Sequence, residues 1–315
     1  MERKHEKYQQ LIARCQTLTP VPTAVAHPCD ESSLRGAVEA AELGILQPIL
    51  VGPQAKIEAV AAQFHLDISG YEIVDAPHSH AAAELAVQLA REGKAEMLMK
   101  GSLHTDELMG AVVRTATGLR TERRISHAFL MDVPSLDRVL VITDAAINIV
   151  PTLADKVDIT QNAIDLAHAL GYPQPKVAIL SAMETVNPKI PSTVEAAALC
   201  KMADRKQITG GILDGPLALD NAINLAAARI KQLDSPVAGH ADILVVPDLE
   251  AGNMLAKSLT FMADADAAGI VLGARVPIIL TSRADSVTTR LASCAVGALV
   301  VQARREEEAK KALGS

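Results

Sequence analysis

The feature that most constrains this 315-residue chain is a strict alternation of short apolar runs with helical patterns. Thr23 to His27, Pro48 to Val51, Tyr71 to Val74 and Met97 to Lys100 read as strands. Between them, Asp30 to Leu43, Gln54 to Phe64 and Ser79 to Arg91 read as helices, with Gly44 and Gly93 as stops. Such repetition predicts an α/β fold, a parallel sheet with helices on both faces. The strands are near-continuously apolar, as strands buried on both sides require.

The alternation restarts after a helix at Asp155 to Leu170, long enough to bridge two domains. Strands follow at Lys176 to Leu180, Gly211 to Leu213, Ile243 to Val246 and Ile270 to Leu272, with helices at Thr193 to Ala203, Leu217 to Ile230 and Gly252 to Met262. Ser126 to Met131 and Arg138 to Ile142 are two further strands suited to a hairpin. Residues 2–16 form an amphipathic helix, and Arg304 to Lys311 a charged helical tail. The expected division is a discontinuous first α/β domain, 1–157 plus 272–315, and a second, 158–271.

Three Phe, three Tyr and no Trp leave Ala, Val, Leu and Ile to build the core, and argue against base-stacking platforms. A net charge of −7 argues against a general nucleic-acid partner, so any anion site must be a local basic pocket. The four cysteines (Cys15, Cys29, Cys200 and Cys294) lack metal-type spacing and read as reduced thiols. The N-terminus is charged, and no uncharged apolar run approaches the ~18 residues of a membrane span. A cytoplasmic protein without a membrane partner is expected.

The stretch from Pro277 to Val301 concentrates chemistry. An apolar run, Pro277 to Leu280, breaks into Thr281-Ser282-Arg283-Ala284-Asp285-Ser286 before a helical pattern resumes. In parallel sheets this strand-to-helix turn lies at the carboxyl edge, where ligands bind. A hydroxyl, a guanidinium and a carboxylate within four residues suit an oxyanion and a proton; alternatively, Asp285 or Ser286 simply caps the helix. The strand ending at Lys100 continues into Gly101-Ser102-Leu103-His104-Thr105-Asp106, a second anion-suited turn leading to Arg114. Arg120, Arg123 and Arg124 form either a solvated basic loop or the rim of a polyphosphate site. Asp144 and Asn148 follow another strand. Asp214 lies in a Gly-Pro turn, and Asp248, Gly252 and Asn253 mark a strand end and helix start. There, the plain alternative makes Asp248 a turn residue and Asn253 an N-cap. Neither G-x-G-x-x-G after the first strand, nor a P-loop, nor a nucleophile elbow is found.

Leu213 to Pro216, Val246 to Asn253 and Thr281 to Ser286 together resemble the phosphate acetyl/butyryltransferase family. Lys100 to Thr105 and Asp144 to Pro151 fit the same pattern, so the resemblance covers nearly the whole chain in order. Lys100-Gly101 and Ser282 to Asp285 lean toward the butyryltransferase-like branch. The resemblance implies two α/β domains with mainly parallel sheets and an inter-domain cleft, related to isocitrate and isopropylmalate dehydrogenases, and a homodimer. It implies acyl-CoA + phosphate ⇌ acyl phosphate + CoA by direct transfer in a ternary complex, with coenzyme A and phosphate as substrates, no tightly bound cofactor and no metal. In the acetyltransferases a catalytic aspartate lies seven residues after the serine; here that position is Thr289.

On that footing Ser282, Arg283 and Asp285 are the expected catalytic residues: Arg283 for the phosphate oxygens, Ser282 for the developing oxyanion and Asp285 for proton exchange with the thiol. Lys100, Ser102, His104, Thr105, Arg114, Asp144, Asp214, Asp248 and Asn253 are the expected substrate-binding residues. Three rivals remain: a metal-dependent β-decarboxylating dehydrogenase of the same fold, an acyl-carrier-protein:phosphate acyltransferase, and a non-catalytic anion-binding protein. The dehydrogenase needs clustered acids for a divalent ion, and Gly252 to Lys257 carries none.

Overall fold

The structure, a computed structural model, describes residues 6–280 and 285–313. Within them the chain forms two compact units: one runs to Arg123 and resumes at Ala268, the other spans Arg124–Ala267.

The first unit opens with α1 (Glu6–Cys15) and continues β1 (Val21–Ala26), α2 (Glu31–Glu42), β2 (Leu46–Gly52), α3 (Gln54–Gln63), β3 (Glu72–Asp75), α4 (Ser79–Arg91), β4 (Met97–Lys100) and α5 (Thr105–Val112). Strands β3, β2, β1 and β4 are neighbours in that order and all run parallel. Val21, Ala24, Val25 and Ala26 of β1 are all buried, which accounts for the unbroken apolar run. Helix α2 begins where the Asp30 carboxylate accepts the Ser33 amide at 2.9 Å. This N-cap lets the helix turn Leu34, Ala37 and Val38 into the core.

The second unit contains β5 (Ser126–Asp132), β6 (Leu140–Thr143), α6 (Leu153–Ala169), β7 (Lys176–Leu180), α7 (Pro191–Asp204), β8 (Ile212–Leu217), α8 (Leu219–Ile223), α9 (Leu225–Ile230), β9 (Ile243–Val245) and α10 (Leu249–Met262). Its strand order is β5-β6-β9-β7-β8. The β5–β6 pair is the expected antiparallel hairpin, and the other pairs are parallel. Leu140, Ile142, Ala178, Leu244 and Val246 share one core.

The chain then returns through β10 (Asp266–Leu272), β11 (Ile278–Ile279) and α11 (Val287–Leu313). Strand β11 runs parallel to β4 and antiparallel to β10. The charged tail is the end of α11, where Arg305 forks onto Glu96 at 2.8 and 2.5 Å. Helix α1 is tied in from both ends. Cys15 Sγ donates to the Ala295 carbonyl, and the Tyr8 hydroxyl oxygen accepts the Ala268 amide at 2.8 Å.

Two expectations shift. Residues 124–157, expected in the first domain, belong to the second unit, because β6 bonds to β9; the helix expected to bridge domains, α6, lies wholly inside that unit. The unit boundaries thus fall at Arg123/Arg124 and Ala267/Ala268 rather than at 157/158 and 271/272. The single helix expected over Leu217 to Ile230 is two, parted at Asn224. Its extended backbone stops α8 while its side chain accepts the Ala226 and Ala227 amides to start α9.

His127, on β5, is fully enclosed and packs edge-on against Phe129 at 4.4 Å. Burial pushes its pKa down to about 4, against the opposing pull of Asp144. The unfolded chain therefore binds a proton the folded state refuses, and this contribution, complete above about pH 6.5, fades as pH falls toward about 4. His127→Gln should flatten the fall in stability across that window, measured by urea unfolding at a series of pH values. An unchanged slope would rule His127 out as its source.

Candidate active site

Three neighbouring parallel strands, β1, β4 and β11, present their carboxyl ends along one edge of the first unit. The turns leaving β1 and β4 are bound together at His27. Its carbonyl accepts the Ser102 amide and hydroxyl, both at 2.8 Å, and the Cys29 amide at 2.9 Å. His27 itself has φ of +56°, a conformation side-chain-bearing residues seldom adopt. Gly101 makes this approach possible: a Cβ there would stand 2.3 Å from the Ala26 carbonyl oxygen and 2.5 Å from that of His27.

The imidazole joins the same junction, with His27 Nδ1 2.9 Å from Ser102 Oγ. The hydroxyl has one hydrogen. With it on the His27 carbonyl, the ring donates from Nδ1 and keeps its lone pair at Nε2. Burial first, and the Lys56 charge second, hold His27 below its ordinary pKa, while Glu107 and Asp30 pull the other way. The ring is therefore neutral near pH 7. The residues around this edge thus include a neutral base that the sequence pattern did not single out, because its partner is 75 residues away.

Lys100, at the end of β4, donates from Nζ to the carbonyls of Gly101 and Leu103 at 3.2 and 3.1 Å. Its charge braces the turn. His104 precedes α5 at the N-cap but makes no side-chain cap bond, and Thr105 is the helix's exposed first residue. Arg114 sits apart from this junction. It pairs with Glu84 at 2.7 Å, both side chains about half exposed, beside a cavity of ≈ 500 Å³ lined by Val87, Arg91, Ala111 and Thr117. That cavity includes none of the strand-end residues.

At the third turn, Ser282 and Arg283 lie outside the described residues. Asp285 is described, and its carbonyl accepts Arg290 Nη1 at 2.7 Å. The capping role falls to Ser286, whose Oγ accepts the Thr289 amide at 3.1 Å. Thr289 is buried, and its hydroxyl oxygen accepts the Ser286 hydroxyl at 3.0 Å.

The second unit places Asp144 and Asp248 at two turns, Asp214 within β8 and Asn253 within α10. Asp144, almost wholly buried, accepts the Ala146 and Ile147 amides on Oδ1, and the His127 amide, the Asn148 amide and Asn148 Nδ2 on Oδ2. Five donors fill a carboxylate's capacity, so in this geometry Asp144 anchors its turn rather than facing a ligand. Asp248 is the N-cap of α10, accepting the Ala251 amide at 2.8 Å. Asn253 is therefore not the cap; it lies within the helix and donates to the Ala145 carbonyl at 3.3 Å. Asp214 accepts the following Gly215 amide on Oδ1 at 2.8 Å.

Burial pushes Cys15, Cys200 and Cys294 up to about 12 and Cys29 up to about 11, so all four stay protonated at neutral pH.

The chain has clear relatives. The model of a family described as "Phosphate acetyl/butaryl transferase" matches residues 78–298. A phosphate acetyltransferase of Rhizobium meliloti is 69% identical over 299 residues, covering 95% of each chain. A phosphate butyryltransferase of Clostridium acetobutylicum is 41% identical, covering 94% of this chain and 98% of its own. Among solved structures, a branched-chain phosphotransacylase from Enterococcus faecalis V583 superposes with a TM-score of 0.78 at 32% identity, covering 89% of this chain and 99% of its own.

Gly101→Ala should spread the β1 and β4 turns, since backbone oxygens cannot yield as a side chain can. Overpacking of this kind destabilises by about 1–3 kcal/mol, readable by denaturant unfolding. Unchanged stability would mean the two turns are not held in register by this contact.

Proposed function

The chain belongs to the phosphate acetyl/butyryltransferase family, and from that premise we propose that it catalyses acyl-CoA + phosphate ⇌ acyl phosphate + CoA. The observation that carries this reading is identity of 69% to a named phosphate acetyltransferase along 95% of both chains. The relatives' names favour acyl transfer over hydroxy-acid oxidation. Acetyl is the preferred acyl group in this proposal, because butyryltransferase relatives stand lower, at 41%, 43% and 44%.

Transfer is direct, in a ternary complex. A phosphate oxygen attacks the thioester carbonyl, and the tetrahedral oxyanion collapses to expel the CoA sulfur, which takes up a proton. The high thiol pKa values fit a route without an acylated cysteine. Arg283 grips two phosphate oxygens, a geometry the guanidinium fork matches, and Ser282 donates to the developing oxyanion. Asp285 exchanges the proton with the thiol, whose ordinary pKa is about 8.5. Lys100 supplies positive field from the adjoining turn, and Thr105, His104 and Ser102 supply polar contacts. Holding both substrates together contributes much of the rate.

Other assigned contacts need revision. Asp144 and Asp248 shape their turns, whereas Asp214 and Asn253 remain the second unit's ligand-facing candidates in this proposal. Arg114 is a surface ion pair by its present partner. The proposal includes a cytoplasmic homodimer. Phe261 and Met262, 82% and 85% exposed at the end of α10, offer apolar surface for self-association. No described helix is long and apolar enough to cross a membrane.

Phosphate-dependent release of free thiol from acetyl-, propionyl- and butyryl-CoA tests the activity and the chain-length order. No thiol release with any of the three would sink the assignment. In the same assay Arg283→Ala should lower kcat by about 100-fold or more, the scale of losing a charge-stabilising group, with a raised KM for phosphate. Asp285→Asn should remove one limb of the pH–rate profile; a superimposable profile would eliminate Asp285 as the base.

A further inference from the structure

Arg290 stands in the first turn of α11 and is only 7% exposed. A cation is disfavoured there twice over, by its distance from water and by the positive end of the helix dipole. Both groups it meets through Nη1 are neutral: the Asp285 carbonyl at 2.7 Å and the Ser32 hydroxyl oxygen at 3.2 Å. Its Nε is buried without a hydrogen-bond partner. A leucine or methionine of similar volume would satisfy the packing at lower cost, so packing does not explain an arginine.

What the guanidinium does is join two pieces of chain that no strand pairing connects. Ser32 is the second residue of α2, reached from β1 through the turn that His27 and Ser102 hold. Asp285 lies just before α11. Arg290 therefore links the Asp285 backbone to the framework of the β1 and β4 turns. Gly36, one helical turn beyond Ser32, leaves the passage for the arginine stem: a Cβ there would stand 3.3 Å from Arg290 Cδ and 3.4 Å from Nε.

We propose that Arg290 is a positioning residue, fixing the backbone at Asp285 against the first turn of α2 so that the reacting groups hold their alignment. This rests on the acyltransferase reading above, and goes beyond it by naming what holds Asp285. Arg290 touches no reacting atom. Its effect passes through the Asp285 carbonyl, and so it alters the rate of the bound complex rather than the binding of either substrate.

The test measures kcat and KM for phosphate and acetyl-CoA in Arg290→Gln, Ser32→Ala, Gly36→Ala and Asp285→Asn, with Arg290→Gln/Asp285→Asn as the double variant. Misplacement by an ångström-scale shift lowers turnover by about 100-fold. Arg290→Gln should lose about that much kcat with each KM within about twofold. Ser32→Ala, which removes only the longer bond, should lose less. Gly36→Ala keeps the arginine and favours helix, so a fall in its kcat at undiminished melting temperature separates alignment from folding. The double variant should be no slower than Asp285→Asn, as two residues acting through one step require.

Unchanged kcat in both Arg290→Gln and Gly36→Ala overturns the proposal and leaves the acyltransferase reading intact. A raised KM for phosphate with kcat preserved overturns it in favour of direct anion contact. An Asp285→Asn enzyme indistinguishable from wild type, beside a slow Arg290→Gln, removes Asp285 as base while the positioning of that backbone stands.

Discussion

The carbonyl oxygen of His27 is the point on which the candidate site depends. Three donors converge on it, two of them from Ser102, and so the ends of β1 and β4 form one rigid object rather than two loops. The convergence requires the backbone of Gly101 to pass where any side chain would collide. It also requires His27 to adopt a positive φ. A residue held in that region generally needs the surrounding structure to fix it, and here the fixing bonds are also those that orient its ring. Rigidity at a parallel sheet's carboxyl edge is what lets short polar side chains be placed with useful precision.

Carboxylates of the second unit are used in two different ways. Asp144 and Asp248 satisfy backbone amides and thereby set the shape of the turns that carry them. Such groups accept hydrogen bonds they cannot release without unmaking the turn. Asp214 gives one oxygen to the neighbouring amide. Residue type and strand-end position therefore do not reveal a scaffold carboxylate; the donors it engages do.

Most of the architecture was legible in the chain. Continuous apolar runs such as Pro48 to Val51 announced parallel strands covered on both faces, and the Ser126–Ile142 stretch announced its hairpin. The hairpin's allegiance was not legible, because β6 joins β9 across about a hundred residues and no local pattern encodes such a partner. The break at Asn224 is not legible because a helical apolar pattern continues through it, while the asparagine's own side chain offers the backbone another way to bond. At the site, turns rich in Ser, Lys, Arg and Asp stood out by composition. His27 and Arg290 did not, since one resembles a strand end and the other a residue of an amphipathic helix. Their significance arises from contacts with Ser102 and Ser32, formed only on folding.

The departure at Thr289 bears on the chemistry. A carboxylate at that position, as the acetyltransferase pattern has it, would stand in the first turn of α11, where an anion is favoured by the helix dipole. Thr289 is instead enclosed, with its hydroxyl bonded to that of Ser286. Its hydroxyl is no ionisable group at neutral pH. In the proposed mechanism the proton passes through a neighbour, Asp285, which lies one turn earlier, just ahead of the capping serine. Moving the carboxylate out of the helix exchanges placement by helical geometry for placement by tertiary bonds. A buried arginine that grips the Asp285 carbonyl supplies such a bond, which is why the two features belong to one solution.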